Sequence, residues 1–180
     1  MLDFKPIKLA GRGDKLVRFR IPEDAVAVAV ISYKGSSNFA IWTVDPSGSE
    51  SDLLVNTIGS YSGRVLFDER DHSVAFKVTS SGSWTITVNP LQLAPTWGGA
   101  KTLTGSGDNV VRIIAALDPL ASLKLTYRGS GNFAVWAYGG DAGSDLLVNE
   151  IGRYSGEVFL GGATLLEITA DGPWTATLIN

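Results

Sequence analysis

Short runs that alternate apolar with polar residues, or stay apolar throughout, follow one another along the whole chain. Val26, Val28 and Val30 alternate with alanines. Phe39 and Ile41 fall on one face of a strand, Ala40 and Trp42 on the other. Trp84-Thr85-Ile86-Thr87-Val88 alternates without a break. A period of two is the signature of a strand, because successive side chains leave a pleated backbone on opposite sides. The pattern predicts strands near 16–21, 25–33, 39–44, 52–58, 63–67, 73–79 and 84–89, separated by Gly, Pro, Asp and Ser clusters. No apolar pattern of helical period exceeds two turns. Short strands at this spacing predict a β-sandwich, with a small jelly roll preferred to a barrel.

The pattern then repeats. Tyr33-Lys34-Gly35-Ser36-Ser37-Asn38-Phe39-Ala40-Ile41-Trp42 returns as Tyr127-Arg128-Gly129-Ser130-Gly131-Asn132-Phe133-Ala134-Val135-Trp136. Ser51-Asp52-Leu53-Leu54-Val55-Asn56-Thr57-Ile58-Gly59-Ser60-Tyr61-Ser62-Gly63 returns as Ser144-Asp145-Leu146-Leu147-Val148-Asn149-Glu150-Ile151-Gly152-Arg153-Tyr154-Ser155-Gly156. Gly11-Arg12-Gly13-Asp14 matches Gly105-Ser106-Gly107-Asp108, and Gly82-Ser83-Trp84-Thr85 matches Gly172-Pro173-Trp174-Thr175. The offset falls from 94 to 93 and then to 90 at the last tryptophan, so the second copy has shed loop residues between apolar runs. The chain is therefore expected to be all-β, with two tandem homologous β-sandwich (jelly-roll-like) domains. The first is expected over 1–92 with an N-terminal arm, Met1 to Lys8. A linker over 93–99 lies within the Pro- and Gly-containing stretch Pro90 to Gly99, and the second domain covers 100–180.

Composition narrows the function classes. Hydrophobic residues at 44% suffice for a packed core, which separates the chain from a disordered one. A net charge of -3 argues against a nucleic-acid partner, which selects for a basic stripe. The absence of cysteine removes disulfides and thiolate metal sites. The apolar run Ala25 to Ile31 is too short to span a bilayer, and Met1 to Ala10 lacks the apolar stretch of a signal peptide. These features predict a soluble chain with no membrane partner.

Comparing the copies weighs the candidate chemistry. Arg12-Gly13-Asp14 reads as an adhesion signature, but the shared pattern is only Gly-x-Gly-Asp. A turn accounts for that pattern, with glycines for positive φ and the aspartate bonding the backbone just ahead. Asp14/Asp108 and Asp52/Asp145 stand too isolated for a calcium loop, so no metal is expected. His72 lies in the charged loop Asp68-Glu69-Arg70-Asp71, has no counterpart in the second copy, and is a poor general base on that account. No catalytic motif, cofactor site or enzymatic activity is expected. The binding candidates are Tyr61 and Tyr154, which sit where the chain turns a corner, Asn56 and Asn149, and Trp97. The two asparagines have a competing role, bonding local backbone to stop the strand. Trp97 lacks a repeat partner and is expected in the linker, packed between domains. Together with Trp42/Trp136 and Trp84/Trp174, the tyrosines are the rings that would stack on a sugar, against a core role for the tryptophans. The most divergent loops surround His72 and cover Gly139-Gly140-Asp141-Ala142-Gly143.

In the segments Gly-Ser-x-Asn-Phe-Ala-(Ile/Val)-Trp and Asp-Leu-Leu-Val-Asn-x-Ile-Gly-x-Tyr-Ser-Gly, the chain resembles small β-sandwich modules. These modules recur, often in tandem, in uncharacterised proteins of actinobacteria and their phages. The resemblance implies the architecture and a host range, and no activity or binding residues. With the composition it favours a non-enzymatic accessory protein of a phage virion, either a capsid decoration or a tail-associated protein. The partner would then be the major capsid protein or a neighbouring subunit of the virion lattice. The alternative is a carbohydrate or cell-wall binding module with a glycan partner.

Overall fold

The computed structural model describes residues 4–69, 71–140 and 143–180. The chain divides into two compact units, Met1–Leu93 and Ala94–Asn180. The first contains β1 (Ile7–Arg12), β2 (Lys15–Arg18), β3 (Ala27–Lys34), β4 (Asn38–Val44), β5 (Glu50–Ile58), β6 (Tyr61–Phe67), β7 (Ala75–Ser80) and β8 (Ser83–Pro90). The second contains β9 (Thr96–Trp97), β10 (Leu103–Ser106), β11 (Asn109–Ile113), β12 (Ser122–Tyr127), β13 (Asn132–Tyr138), β14 (Ser144–Ile151), β15 (Tyr154–Phe159), β16 (Leu165–Ala170) and β17 (Pro173–Ile179). Among the described residues there is no α-helix, and one 3-10 turn spans Leu91–Leu93.

Each unit is a β-sandwich with the strand order of a jelly roll. The first pairs a sheet β1-β8-β3-β6 with a sheet β2-β7-β4-β5. The second repeats the order as β10-β17-β12-β15 and β14-β13-β16-β11, and adds β9 beyond β11. β9 is the exception to antiparallel pairing: it runs parallel to β11, with Trp97 beside Ile113. The inward residues of both sheets make one core per unit. In the first unit Phe39 and Ile41 of β4 meet Tyr33, Trp84 and Ile86 of the opposite sheet. Tyr33 stacks on Phe39 at 4.3 Å and 6°, and Tyr127 stacks on Phe133 at 4.6 Å and 6°. Rings buried this completely each contribute up to about 3 kcal/mol from area removed from water.

The Gly-x-Gly-Asp segment fastens one sheet to the other, and each of its three fixed residues has a separate task. Gly11 lies opposite Trp84 in the β1–β8 register. A Cβ on it would sit 2.3 Å from the indole ring, so only glycine admits the tryptophan. Gly13 has φ 71°, the left-handed region that glycine enters without a Cβ clash. Its carbonyl accepts a bond from Trp84 Nε1 at 3.0 Å. Asp14 Oδ1 accepts from the backbone N–H of Ser80 at 2.8 Å, on β7 of the other sheet. The second unit repeats this with Gly105, Gly107 at φ 76°, Trp174 Nε1 to Gly107 O at 2.9 Å, and Ala170 N–H to Asp108 at 2.9 Å. The segment is a turn, as its composition predicts. The aspartate, however, reaches a distant strand and not the backbone just ahead.

Two further expectations change. The N-terminal arm is shorter than predicted: Phe4, Ile7 and Leu9 pack against the first core, and β1 is an edge strand with β10 as its counterpart. The remainder of that arm, Met1 to Asp3, lies outside the described residues, as do Arg70, Asp141 and Ala142 of the two divergent loops. Residues 94–99, read as linker, belong with the second unit. Trp97 is buried in that unit's core, and its Nε1 donates to Lys101 O at 2.8 Å.

Candidate functional site

The outer face of one sheet in each unit carries the same exposed side chains. On β4 the inward residues are Phe39 and Ile41, so Ala40 and Trp42 point out. The register sets Asn56 across from Ala40, Ile58 across from Asn38 and Leu53 across from Trp42. In the second unit Asn149 faces Ala134, Ile151 faces Asn132 and Leu146 faces Trp136. The first unit's pairing slips between Trp42 and Val44, and both units slip at the matched place, between Ile41 and Trp42 and between Val135 and Trp136. That bulge lets the continuous run Leu-Leu-Val send Val55 and Val148 inward while Leu53 and Leu146 stay out.

The result is an apolar strip on the sheet edge. Ile58 is 81% exposed and Ile151 is 83% exposed. What sets these two residues apart is that the exposure occurs at the same place in two units. Each isoleucine ends its strand just before a glycine of positive φ, Gly59 at 95° and Gly152 at 85°. Those glycines tie back to the preceding hairpin, with Gly59 N–H to Ser37 O at 3.1 Å and Gly152 N–H to Gly131 O at 2.9 Å. The backbone that carries each isoleucine is therefore fixed at the turn, with its side chain directed outward.

The predicted binding residues separate onto different parts of the fold. Asn56 and Asn149 are exposed on this outer face. Neither side-chain amide is hydrogen-bonded among the described residues, and both strands continue to the isoleucine, so the amides do not stop them. Tyr61 and Tyr154 lie elsewhere. They are half-buried at the rim of the core, with ring centroids 6.2 Å from Phe39 and 5.8 Å from Phe133. Trp84 and Trp174 are core residues, and Trp97 is buried. The aromatic pairs thus do not form one stacking surface. Only Trp42 and Trp136 share the outer face with the asparagines, and Trp136 is itself covered in part by Tyr138, stacked at 6.5 Å and 22°. Ile58 and Ile151 were missed as candidates. Their signal was available: both copies keep an isoleucine immediately before the turn glycine.

Asp68 is buried, has φ 60°, and accepts from Ser73 N–H at 2.9 Å and Ser73 Oγ at 2.5 Å. Burial raises its pKa above 3.8, against the pull of the Ser73 hydrogen bonds and the neighbouring His72. Among the described residues no group of three or more His, Cys, Asp or Glu side chains is placed to hold a metal ion. No helix among them is long and apolar enough to cross a membrane.

No protein-family model matches the chain, and no curated protein does. Among solved structures it is similar to the regulatory subunit of a cAMP-independent protein kinase A from Trypanosoma brucei. That match has 11% identity and a TM-score of 0.26, over 97% of this chain and 74% of the other. The Trypanosoma cruzi regulatory subunit bound to guanosine matches at 12% identity and a TM-score of 0.25, over 97% and 72%. Likeness at that level carries no argument about fold or ligand.

Proposed function

We propose that the chain is a non-enzymatic binding protein that presents one rigid sheet edge twice, as an internally duplicated accessory protein of a virion would. The observation that supports this reading is the outward isoleucine beside an unbonded asparagine amide at the same place in both units. An aliphatic side chain exposed outside its own core gives up only rotamer freedom on entering a partner's pocket, and it gains the area it removes from water. The amide beside it supplies direction. A repeated protein surface, such as a capsid or tail lattice, offers two such pockets, and linking two sites on one chain raises avidity by about 10²–10⁴ when both engage. A glycan surface is less well matched, since isoleucine neither stacks on a sugar ring nor bonds its hydroxyls.

The test is sedimentation of the chain with purified phage particles, and in parallel with peptidoglycan. The expected result is co-sedimentation with particles, weakened in Ile58→Asp and in Ile151→Asp and abolished in the double variant. Sedimentation with peptidoglycan alone, or a double variant that sediments like the parent, would overturn the proposal.

A further inference from the structure

The other sheet of the second unit, β10-β17-β12-β15, carries on its outer face a feature that the repeat does not share. Tyr127 ends β12 with its side chain in the core, so Arg128 turns outward. Arg128 N–H donates to Pro173 O at 2.9 Å, which extends the pairing with β17 by one residue. Along the opposite side of β12 the register sets Thr126 across from Ser155 and Tyr127 across from Tyr154. One step further, Arg128 stands across from Arg153. Both arginines are exposed. They line one open hollow of about 530 Å³ with Thr126, Tyr127, Tyr154 and Ser155, and no carboxylate lines it. The volume lies within the range of ligand-binding clefts.

Directly opposed residues have Cβ atoms about 4.5–5.5 Å apart, so like charges there repel. Neither arginine forms an ion pair among the described residues. The acids of this region are placed otherwise. Asp171 accepts from the Tyr127 hydroxyl and would meet a Cβ on Gly129, which puts it on the core-facing side of β12. Glu157 is on the outer face, but four residues beyond Arg153, about 13 Å along the strand, and Lys124 stands across from it. The first unit has no such pair: the same step beyond Tyr33 and Tyr61 sets Lys34 across from Ser60.

We propose that this hollow of the second unit binds a phosphate group, as the free ion or as a monoester. Two guanidinium charges facing one another call for a dianion, and a phosphate monoester carries about −1.5 to −2 at neutral pH. A carboxylate would leave one cation uncompensated. Each planar guanidinium can give two parallel hydrogen bonds to a pair of phosphate oxygens, and Ser155 adds a hydroxyl beside them. Lys34 in the first unit is a single point charge and offers no such fork. The hollow is not on the sheet that carries Ile151, so this site and the repeated edge fail independently.

The test is titration of the full, 15N-labelled chain with inorganic phosphate and with phenyl phosphate, at pH 7.5 and constant ionic strength, with benzoate as the monoanionic control. Saturable amide shifts are expected at residues 126–128 and 153–155 and not at 32–34 and 60–62. Benzoate should bind about tenfold more weakly than phenyl phosphate. Lowering the pH to 5 should weaken phenyl phosphate severalfold, because the ester loses its second charge near about pH 6 while the guanidinium groups keep theirs. Arg128→Gln and Arg153→Ser, both at exposed positions, should each weaken binding about tenfold or more. The reciprocal variant Lys34→Arg, Ser60→Arg should bring the same shifts to the first unit. Tighter binding of phenyl phosphate than of inorganic phosphate assigns the site to an ester, and equal or weaker binding assigns it to the free ion; either upholds it. Shifts that do not saturate, benzoate binding as well as phenyl phosphate, unchanged binding in Arg153→Ser, or a reciprocal variant that gains no site would each overturn the proposal.

Discussion

Replacing Gly11 by alanine should destabilise the first unit far more than a single methyl group suggests. The added Cβ would lie 2.3 Å from Trp84 Cζ2 and under 3 Å from two further ring atoms. Trp84 is 2% exposed and is held by the bond from Nε1, next to the crowded Cε2, to Gly13 O, so the indole cannot swing away without losing that bond. Relief must come from β1 lifting off β8, or from the indole tilting and losing its hydrogen bond. Overpacking of this kind costs about 1–3 kcal/mol, and an indole N–H and a carbonyl left unpaired add about 1 kcal/mol or more, giving a total of about 2–4 kcal/mol. For a domain of this size that is a fall in Tm of roughly 10–25 °C. Gly98→Ala is the control, since nothing lies within 4 Å of a Cβ there and its φ is not positive. Both variants would be melted while following tryptophan fluorescence and near-UV circular dichroism. If Gly11→Ala melts with Gly98→Ala, the indole does not occupy the glycine's missing side chain, and the account of the fastening is wrong.

Two other changes probe single residues of the first unit. Asp68 favours its protonated form in the fold, so its contribution is complete below about 3.8 and is lost as pH rises through its raised pKa. The stability of the parent relative to Asp68→Asn should therefore fall between pH 4 and neutrality in urea titrations, and a pH-independent difference would contradict the burial argument. Thr43 is 1% exposed, accepts from Asp52 N–H at 2.8 Å and bonds Ser51 Oγ at 2.8 Å. Thr43→Val should cost about 1–2 kcal/mol in the same titrations, and Thr43→Ser should recover most of it.

The strands from β2 to β8 were legible because alternation and turn residues agree along them, and the core followed: Phe39 and Ile41 do face inward. β1 was missed although Ile7-Lys8-Leu9 alternates, because a strand at the beginning of a chain has only one flank to mark it. β9 was missed for a physical reason: two residues carry no period, and Pro95 and Gly98 around Trp97 read as linker. The outer face was hidden by the bulge. Leu53, Leu54 and Val55 look alike in sequence, and only the register decides which of them meets water. Asn56 and Asn149 were named as binding candidates, with a competing role in stopping the strand, and the strands run on past them. The tyrosines were named for a corner that does exist, yet their rings turn toward the core.

The fastening of Trp84 to Gly13 joins residues 71 apart in sequence, and Asp14 to Ser80 spans 66. The first strand of the unit pairs with its last, as Ile7 with Val88. Synthesis therefore delivers β1 long before the strand that holds it, and the growing chain carries an unpaired edge until β8 emerges. A topology this rich in distant contacts folds on the slow side, in milliseconds to seconds. A ribosome adding about 5–20 residues per second leaves β1 waiting for several seconds. The charged residues on β1, Lys8 and Arg12, then act first as protection for a nascent chain against pairing with its neighbours, and only later as the solvated side of a finished sheet.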